Sequence, residues 1–356
     1  MGKRAQGGDL GVRGRLEGIQ ALRGIAALLV AGFHLAVASR DQGFDPGLFT
    51  AFFHGEIGVD IFFVISGFII YHAAAPKAGQ GARKFLLARF WRIFPPYWAI
   101  LSLYIAARVV LALGSGDLGR IPEGQQVVIS ALLLPLPGQI VPIAWTLSIE
   151  IVFYAIFAAT FFKFGPRALV GSLLVWVGAS QFYTHSATEP QQWLNLVLYS
   201  GNAEFLYGVA IAIAHRRGRL PLAGPALALG LALCIAVLAG WLPFSFPSRE
   251  IAAGLPSALL VYGAVGVRLR TPRAFQVLGD ASYLLYLVHI LVYSVTSRVF
   301  EAILGTYAYT SPAIMLAMLA VAVAVSIALN QFGEMPYQRW YKRRSAAARG
   351  DITAQI

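Results

Sequence analysis

The sequence predicts an all-α fold: a polytopic membrane bundle of about ten transmembrane helices, with both termini in the cytoplasm. Three observations predict it. Of the 356 residues, 58% are hydrophobic and only 12% are charged, about half the charged share of an ordinary soluble domain. The apolar residues fall in blocks of roughly 18 or more, the length a helix needs to cross the hydrocarbon of a bilayer. The positive charges alternate from one connection to the next. Of 28 Lys and Arg residues, 23 fall in the N-terminal tail, at Arg23, in 76–92, 163–167, 215–220 and 268–273, and in the C-terminal tail. The intervening connections and adjoining helix ends hold five: Arg40, Arg108, Arg120, Arg249 and Arg298. That asymmetry assigns the basic set to the cytoplasm.

The spans read in order are 18–38, 56–75, 91–112, 142–162, 167–181, 193–214, 224–242, 250–267, 278–299 and 311–331. The chain divides into a cytoplasmic tail over 1–17, a membrane domain over 18–332 and a cytoplasmic tail over 333–356. Ala36-Val37-Ala38 after the first apolar run imitates a leader cleavage site, but the long basic stretch before it favours a retained helix. Val127 to Leu136 is apolar but too short to cross, so it is expected at the surface or as a re-entrant piece. The formal charge of +12 is explained by topology and calls for no nucleic-acid partner. A lone cysteine, Cys234 in an apolar run, excludes an internal disulfide and a cysteine metal cluster. No metal-ligand spacing, Gly-rich phosphate loop or Gly-x-Ser-x-Gly elbow is present, so no metal is expected.

Titratable groups are costly in hydrocarbon, so each one inside a span is a candidate functional residue. His34 follows Arg23 by eleven positions in the first span, about 16 Å along a helix. Glu150 lies eight residues into the fourth span, about 12 Å below the opposite face. The two can share a depth, and a carboxylate beside an imidazole favours its protonated form, as a general base requires. The alternative is a buried pair that only joins two helices. Asp60, near the end of the second span, can cap a helix or pair with an arginine. Ser66-Gly67 interrupts a bulky apolar run, where small residues let helices approach; Ser66 either packs there or meets substrate. His289 sits in the middle of the ninth span, as a hydrogen-bonded core residue or a functional one. Trp145 lies where interfacial tryptophan is expected anyway. Arg89 and Arg92 share one helical face before Pro95-Pro96 and, with Arg83 and Lys84, form a cationic mouth suited to phosphate, or an ordinary positive-inside belt. His54, His72, His185 and His215 lie at span ends or in loops and carry no assignment.

Taken in order, five stretches resemble the acyltransferase-3 family. They are Arg23 to His34 within Ile19-Gln20-Ala21-Leu22-Arg23-Gly24; Gly58-Val59-Asp60-Ile61-Phe62-Phe63-Val64-Ile65-Ser66-Gly67; Arg89-Phe90-Trp91-Arg92 before Pro95; Trp145-Thr146-Leu147-Ser148-Ile149-Glu150 with Phe153-Tyr154; and Gly279-Asp280-Ala281-Ser282-Tyr283 through Tyr286 to His289. They cover essentially the whole chain. Gln20 and Thr146 stand where many members carry aspartate and serine. The resemblance implies a multi-pass acyltransferase of a bacterial inner membrane, closest to the exopolysaccharide-acetylating, succinoglycan-type branch. It implies acetyl-CoA as acyl donor and a hydroxyl of an exopolysaccharide, O-antigen or related lipid-linked oligosaccharide as acceptor. It implies His34, Glu150 and Arg23 in catalysis, and Arg89, Arg92, Ser66, Tyr286 and His289 toward the acyl-CoA. His34 then acts as base on the acceptor or first takes the acyl group itself. The competing class is a transporter or flippase whose His and Glu relay protons, against which no inverted repeat is evident. A third reading is a catalytically inert interaction subunit.

Overall fold

The computed structural model describes residues 4–183, 192–243 and 248–347, and among them every regular element is helical. The helices are α1 (Arg4–Asp41), α2 (Ile57–Ala74), α3 (Gly81–Ser115), α4 (Gly124–Ala131), α5 (Trp145–Phe182), α6 (Gln192–Val197), α7 (Ala203–Arg216), α8 (Ala223–Leu238), α9 (Leu255–Gly266), α10 (Arg273–Leu304), α11 (Pro312–Leu329) and α12 (Met335–Ala347). Seven helical stretches are long and apolar enough to cross a membrane: Glu17–Asp41, Gly47–Gly79, Gly81–Ser115, Trp145–Phe182, Gln192–Arg216, Arg273–Leu304 and Pro312–Arg344. Two shorter apolar helices, Ala223–Leu238 and Ile251–Gly266, accompany them. In lipid a helix satisfies its own backbone, which is why apolar blocks of this length fold this way.

The helix α5 is not one rod. Gly165 sits at φ 81°, ψ −173° beside Pro166, a conformation glycine reaches without a Cβ penalty, followed by a residue that cannot continue the ladder. Ser172 Oγ donates to Thr160 Oγ1 at 3.4 Å, although twelve residues of straight helix span about 18 Å. Phe153 and Trp176 both stack on Phe205, at 4.5 and 6.1 Å between ring centroids. The two arms therefore fold back on each other, matching the separate sequence spans 142–162 and 167–181.

The short apolar piece near Val127 is the eight-residue helix α4. Tyr97 and Trp98 of α3 donate to its Ser130 and Ala131 carbonyls at 3.0 and 2.8 Å. The stretch after 333, read from the sequence as the tail, is helical as far as Ala347. A π-turn over Asn330–Glu334 leads from α11 into α12, and Glu334 is buried.

Helix α2 crosses α7 at backbone contact. A Cβ on Gly67 would lie 2.2 Å from the Phe205 carbonyl oxygen, and one on Gly208 would lie 2.1 Å from that of Val64. Without a hydrophobic drive between helices in lipid, such small-residue crossings are what bring them together. Helix α1 packs along α10 and α2. Around these pairs runs an aromatic core in which Phe85 of α3 stacks on Phe157 of α5 at 5.1 Å and meets Tyr154 edge-on at 6.0 Å. Cys234 is buried in the same core.

Candidate active site

A chamber of about 170 Å³ opens between α1, α2, α3, α5 and α10. Its wall takes Arg23 from α1, Ser66 from α2, Arg89 and Arg92 from α3, Thr146, Glu150 and Tyr154 from α5, and Tyr283 and Tyr286 from α10. Residues from all five sequence motifs thus meet at one cavity.

Glu150 is held by two hydroxyls. Ser66 Oγ donates to its Oε1 at 2.8 Å and Tyr154 Oη donates to the same oxygen at 2.6 Å. Bonds to an ionised acceptor are the strong ones, and two of them lock the carboxylate rotamer. Ser66 therefore does more than pack; its neighbour Gly67 makes the helix crossing. Tyr154 went unassigned in the sequence, although it lies four residues after Glu150 and so on the same helix face.

The arginines occupy the other end. The turn of α3 around Phe85 packs beside Tyr154 to Phe162 of α5, two or more turns away from Thr146. Arg92 Nη1 pairs with Glu334 Oε1 at 3.3 Å. Arg89 Nε is buried with no hydrogen-bond partner among the described residues, its guanidinium 5.6 Å over the Phe85 ring. A buried cationic donor left unmatched costs free energy unless something anionic meets it. Arg83 and Lys84 are exposed and lie outside the chamber wall. Arg23 Nη1 donates to Gln20 Oε1 at 3.4 Å, and Gln20 Nε2 donates to Asp280 at 2.5 Å. The amide at position 20 bridges the arginine and the aspartate between α1 and α10. Glu334, missed because its segment reads as a tail, is fixed further by Gln338 Nε2 at 2.6 Å and Asn330 Nδ2 at 3.3 Å.

His34 and Glu150 do not pair, contrary to the sequence expectation. Depth along two helices fixes height but not which faces oppose, and α1 lies along α10, not α5. His34 Nδ1 lies 2.9 Å from the Val30 carbonyl oxygen and 3.2 Å from His289 Nε2. His289 Nδ1 lies 2.9 Å from the Leu285 carbonyl oxygen, and the residue is wholly buried. Carbonyls accept only, so this network assigns the proton of each ring to Nδ1. His34 then donates to both Val30 and His289 Nε2, and its own Nε2 keeps a lone pair. Neither imidazole lines the chamber. The link is Tyr286: its hydroxyl is 2.9 Å from Thr146 Oγ1, and its ring is 6.3 Å from that of His289. Polar groups therefore run from Arg89 and Arg92 past Glu150 and Thr146 to Tyr286, His289 and His34. Threonine at 146 supplies the same hydroxyl a serine would.

Asp60 lies outside this line. Arg249 Nε and Nη2 donate to its two oxygens at 3.1 and 2.8 Å, and Glu56 approaches the same guanidinium at 3.6 Å. Burial works against the Arg249 charge, but Asp60, Tyr199, Glu56 and Glu204 together more than offset it and hold the guanidinium above its ordinary pKa. Asp60 is thus an arginine partner rather than a helix cap. His72 and His215 pack edge to face at 5.3 Å at the far end of α2, and His185 lies outside the described residues.

Among proteins of known family, residues 16–331 match the acyltransferase-3 family, described as an acyltransferase domain. The exopolysaccharide production protein ExoZ of Rhizobium meliloti is 29% identical over 315 residues, covering 83% of this chain and 93% of its own. The acyltransferase MdmB of Streptomyces mycarofaciens is 29% identical over 378 residues, covering 94% of each chain. No solved structure matches. The match covers every motif residue that meets at the chamber, and the chain belongs to the acyltransferase-3 family of multi-pass membrane O-acyltransferases.

Proposed function

We propose that the protein moves an acetyl group from acetyl-CoA to a hydroxyl of an exopolysaccharide or its lipid-linked precursor, in a bacterial inner membrane. The observation that carries this reading is the chamber that gathers residues of all five motifs, with the unmatched Arg89 Nε at one end and Thr146 and Tyr286 at the other, where the Tyr286 ring meets His289, the partner of His34. Arg89 and Arg92 take the donor phosphates, which suit guanidinium forks. The thioester arm extends up the chamber past Glu150 toward Tyr286. A chamber of about 170 Å³ suits a short acyl group and the narrow arm behind it, with the nucleotide outside. The relationship to a protein of exopolysaccharide production supports a glycan acceptor.

His34 Nε2 takes the proton of the acceptor hydroxyl as that oxygen bonds to the thioester carbon. The carbon–sulfur bond breaks, and the leaving thiolate takes the proton back from the imidazolium to give the free thiol. His289 accepts the hydrogen bond that strengthens when His34 becomes charged. Glu150, held by Ser66 and Tyr154, balances the chamber arginines rather than orienting His34. Ten crossings fit this topology. The 38-residue α5 is about 57 Å long if straight, twice the hydrocarbon thickness, so its arms count as two. The short helices α8 and α9 supply the others, and both termini then lie on the cytoplasmic side with the basic loops.

The test is acetyl transfer in vesicles. His34→Ala is expected to lose at least about a hundredfold in kcat. Arg92→Ala is expected to act mainly on KM for acetyl-CoA. Substantial transfer by His34→Ala rejects the base assignment, and a selective Arg92 effect on acceptor use rejects the donor assignment.

A further inference from the structure

A second cleft, of about 450 Å³, lies at the N-terminal end of α5, between the connection 136–142 and α6. It adjoins the chamber: Trp145 lines the cleft, while the next residue, Thr146, lines the chamber and bonds Tyr286. It also lies at the end away from Arg89, which sits over the Phe85 ring packed beside Tyr154 and Phe162, and from Arg92, which pairs with Glu334. Its chemistry is the opposite of the chamber's. None of its described lining residues is charged; three carry amides, Gln139, Gln192 and Asn195, and one is the indole of Trp145.

Each of these features selects a ligand. The Trp145 ring is held edge-on by Tyr199 at 5.4 Å and is only half-buried. A rigid, half-open indole offers an apolar face to the C–H side of a sugar ring. An amide presents a donor and an acceptor side by side, the spacing of neighbouring hydroxyls on a pyranose. Gln139 is fixed by its Nε2, which donates to Ser148 Oγ at 2.7 Å and Leu134 O at 3.0 Å. Its Oε1 is buried with no partner among the described residues. An acceptor in that state is stabilised by an incoming hydroxyl. A phosphate-bearing donor finds no cation here, whereas a neutral polyhydroxylated ligand finds its usual partners. The volume falls within the range of small-molecule sites.

We propose that this cleft is the acceptor subsite, binding neutral hexose units of the glycan so that an adjacent hydroxyl is presented at the Tyr286 end of the chamber. This rests on the acyl-transfer reading for its purpose but not for its detection. The experiment uses full-length protein in lipid nanodiscs and neutral hexose oligosaccharides of two to six sugars, read by saturation-transfer NMR and, separately, by acceptor-dependent CoA release. Trp145→Ala is expected to weaken sugar binding at least about tenfold, the loss of roughly 1.4 kcal/mol, with Trp145→Tyr restoring most of it. KM for acetyl-CoA is expected to move less than twofold, and Arg92→Ala to leave sugar binding intact. Gln192→Ala, on the separate helix α6, is expected to weaken binding about fivefold and serves where Trp145→Ala fails to fold. Sugar binding by the wild type that ignores both Trp145 and Gln192, or no binding of any oligosaccharide, overturns the subsite. A wild type that binds sugar through Trp145 but never turns over acetyl-CoA sinks the donor reading and leaves the subsite standing.

Discussion

Replacing His289 tests the chemistry at its least conspicuous point. The resemblance sets His289 toward the acyl-CoA, but it does not line the chamber; it meets His34 Nδ1 at 3.2 Å through its own Nε2. His289→Leu keeps much of the volume and removes that acceptor. In the resting state the lost bond is between neutral groups, worth about 0.5–1.5 kcal/mol, and the Val30 carbonyl at 2.9 Å still takes the His34 proton. When His34 accepts the acceptor's proton, the same bond runs from a charged donor and is worth about 1.5–3 kcal/mol. Only the difference of roughly 1–2 kcal/mol bears on the barrier, which corresponds to a fall of about five- to thirtyfold in kcat. The ground state barely uses the extra strength, so KM for acetyl-CoA stays within twofold. The assay is steady-state transfer at saturating acceptor in vesicles, with a thermal melt to verify folding. A folded variant with wild-type kcat refutes the role of His289 in supporting charge on His34. So does a loss carried entirely by KM.

Two further outcomes concern stability. Arg249→Met leaves the Asp60 carboxylate, 1% exposed, without its bidentate partner, which is expected to cost about 3–5 kcal/mol in a denaturant or thermal melt; an unchanged midpoint shows that Asp60 is neutralised some other way. Gly67→Ala puts a methyl 2.2 Å from a backbone oxygen of α7, so about 1–3 kcal/mol is expected to be lost, whereas Gly171→Ala, with nothing within 4 Å, is expected to be neutral or to gain up to ~1 kcal/mol. Equal melts for the two glycine variants reject the close crossing of α2 and α7.

The helices were legible because lipid enforces one pattern, apolar blocks of fixed minimum length with basic breaks. Even the fold-back of α5 was readable, through Gly165-Pro166 and the basic pair Lys163 and Arg167 around it. Many polar residues of the chamber were legible too, because a titratable or hydroxyl group among isoleucines and phenylalanines stands out, but Tyr154 and Tyr283, ordinary among so many aromatics, were not. What could not be read was azimuth. A rise of 1.5 Å per residue places His34 and Glu150 at comparable heights, yet the partner of His34 is 255 positions away on α10. Asp60 and Arg249 are likewise 189 positions apart, so that pairing follows from the order of helices around the bundle. Glu334 was hidden differently: the π-turn shifts register at the point where polarity rises, and a shift of that kind leaves no periodic trace in the sequence.

The separation of Glu150 from His34 suits the proposed transfer, with His34 as base, better than the expected pair. A carboxylate bonded to the base would add a full charge beside it and favour keeping the proton, which must return to the leaving thiolate in the same turnover. A neutral imidazole at 3.2 Å accepts the hydrogen bond without that charge. Glu150 is needed where the cations are. Arg23, Arg89 and Arg92 bring three guanidinium groups to the chamber, and buried charges of one sign are tolerated only with partners. Glu334 meets Arg92 directly, and Glu150 faces the same space, fixed by Ser66 and Tyr154. Arg23 has Asp280 behind it through Gln20 and Arg92 has Glu334, which leaves Arg89, whose Nε has no partner among the described residues. A buried donor of that kind costs free energy until an acceptor meets it, and the phosphate-bearing donor proposed above would supply one.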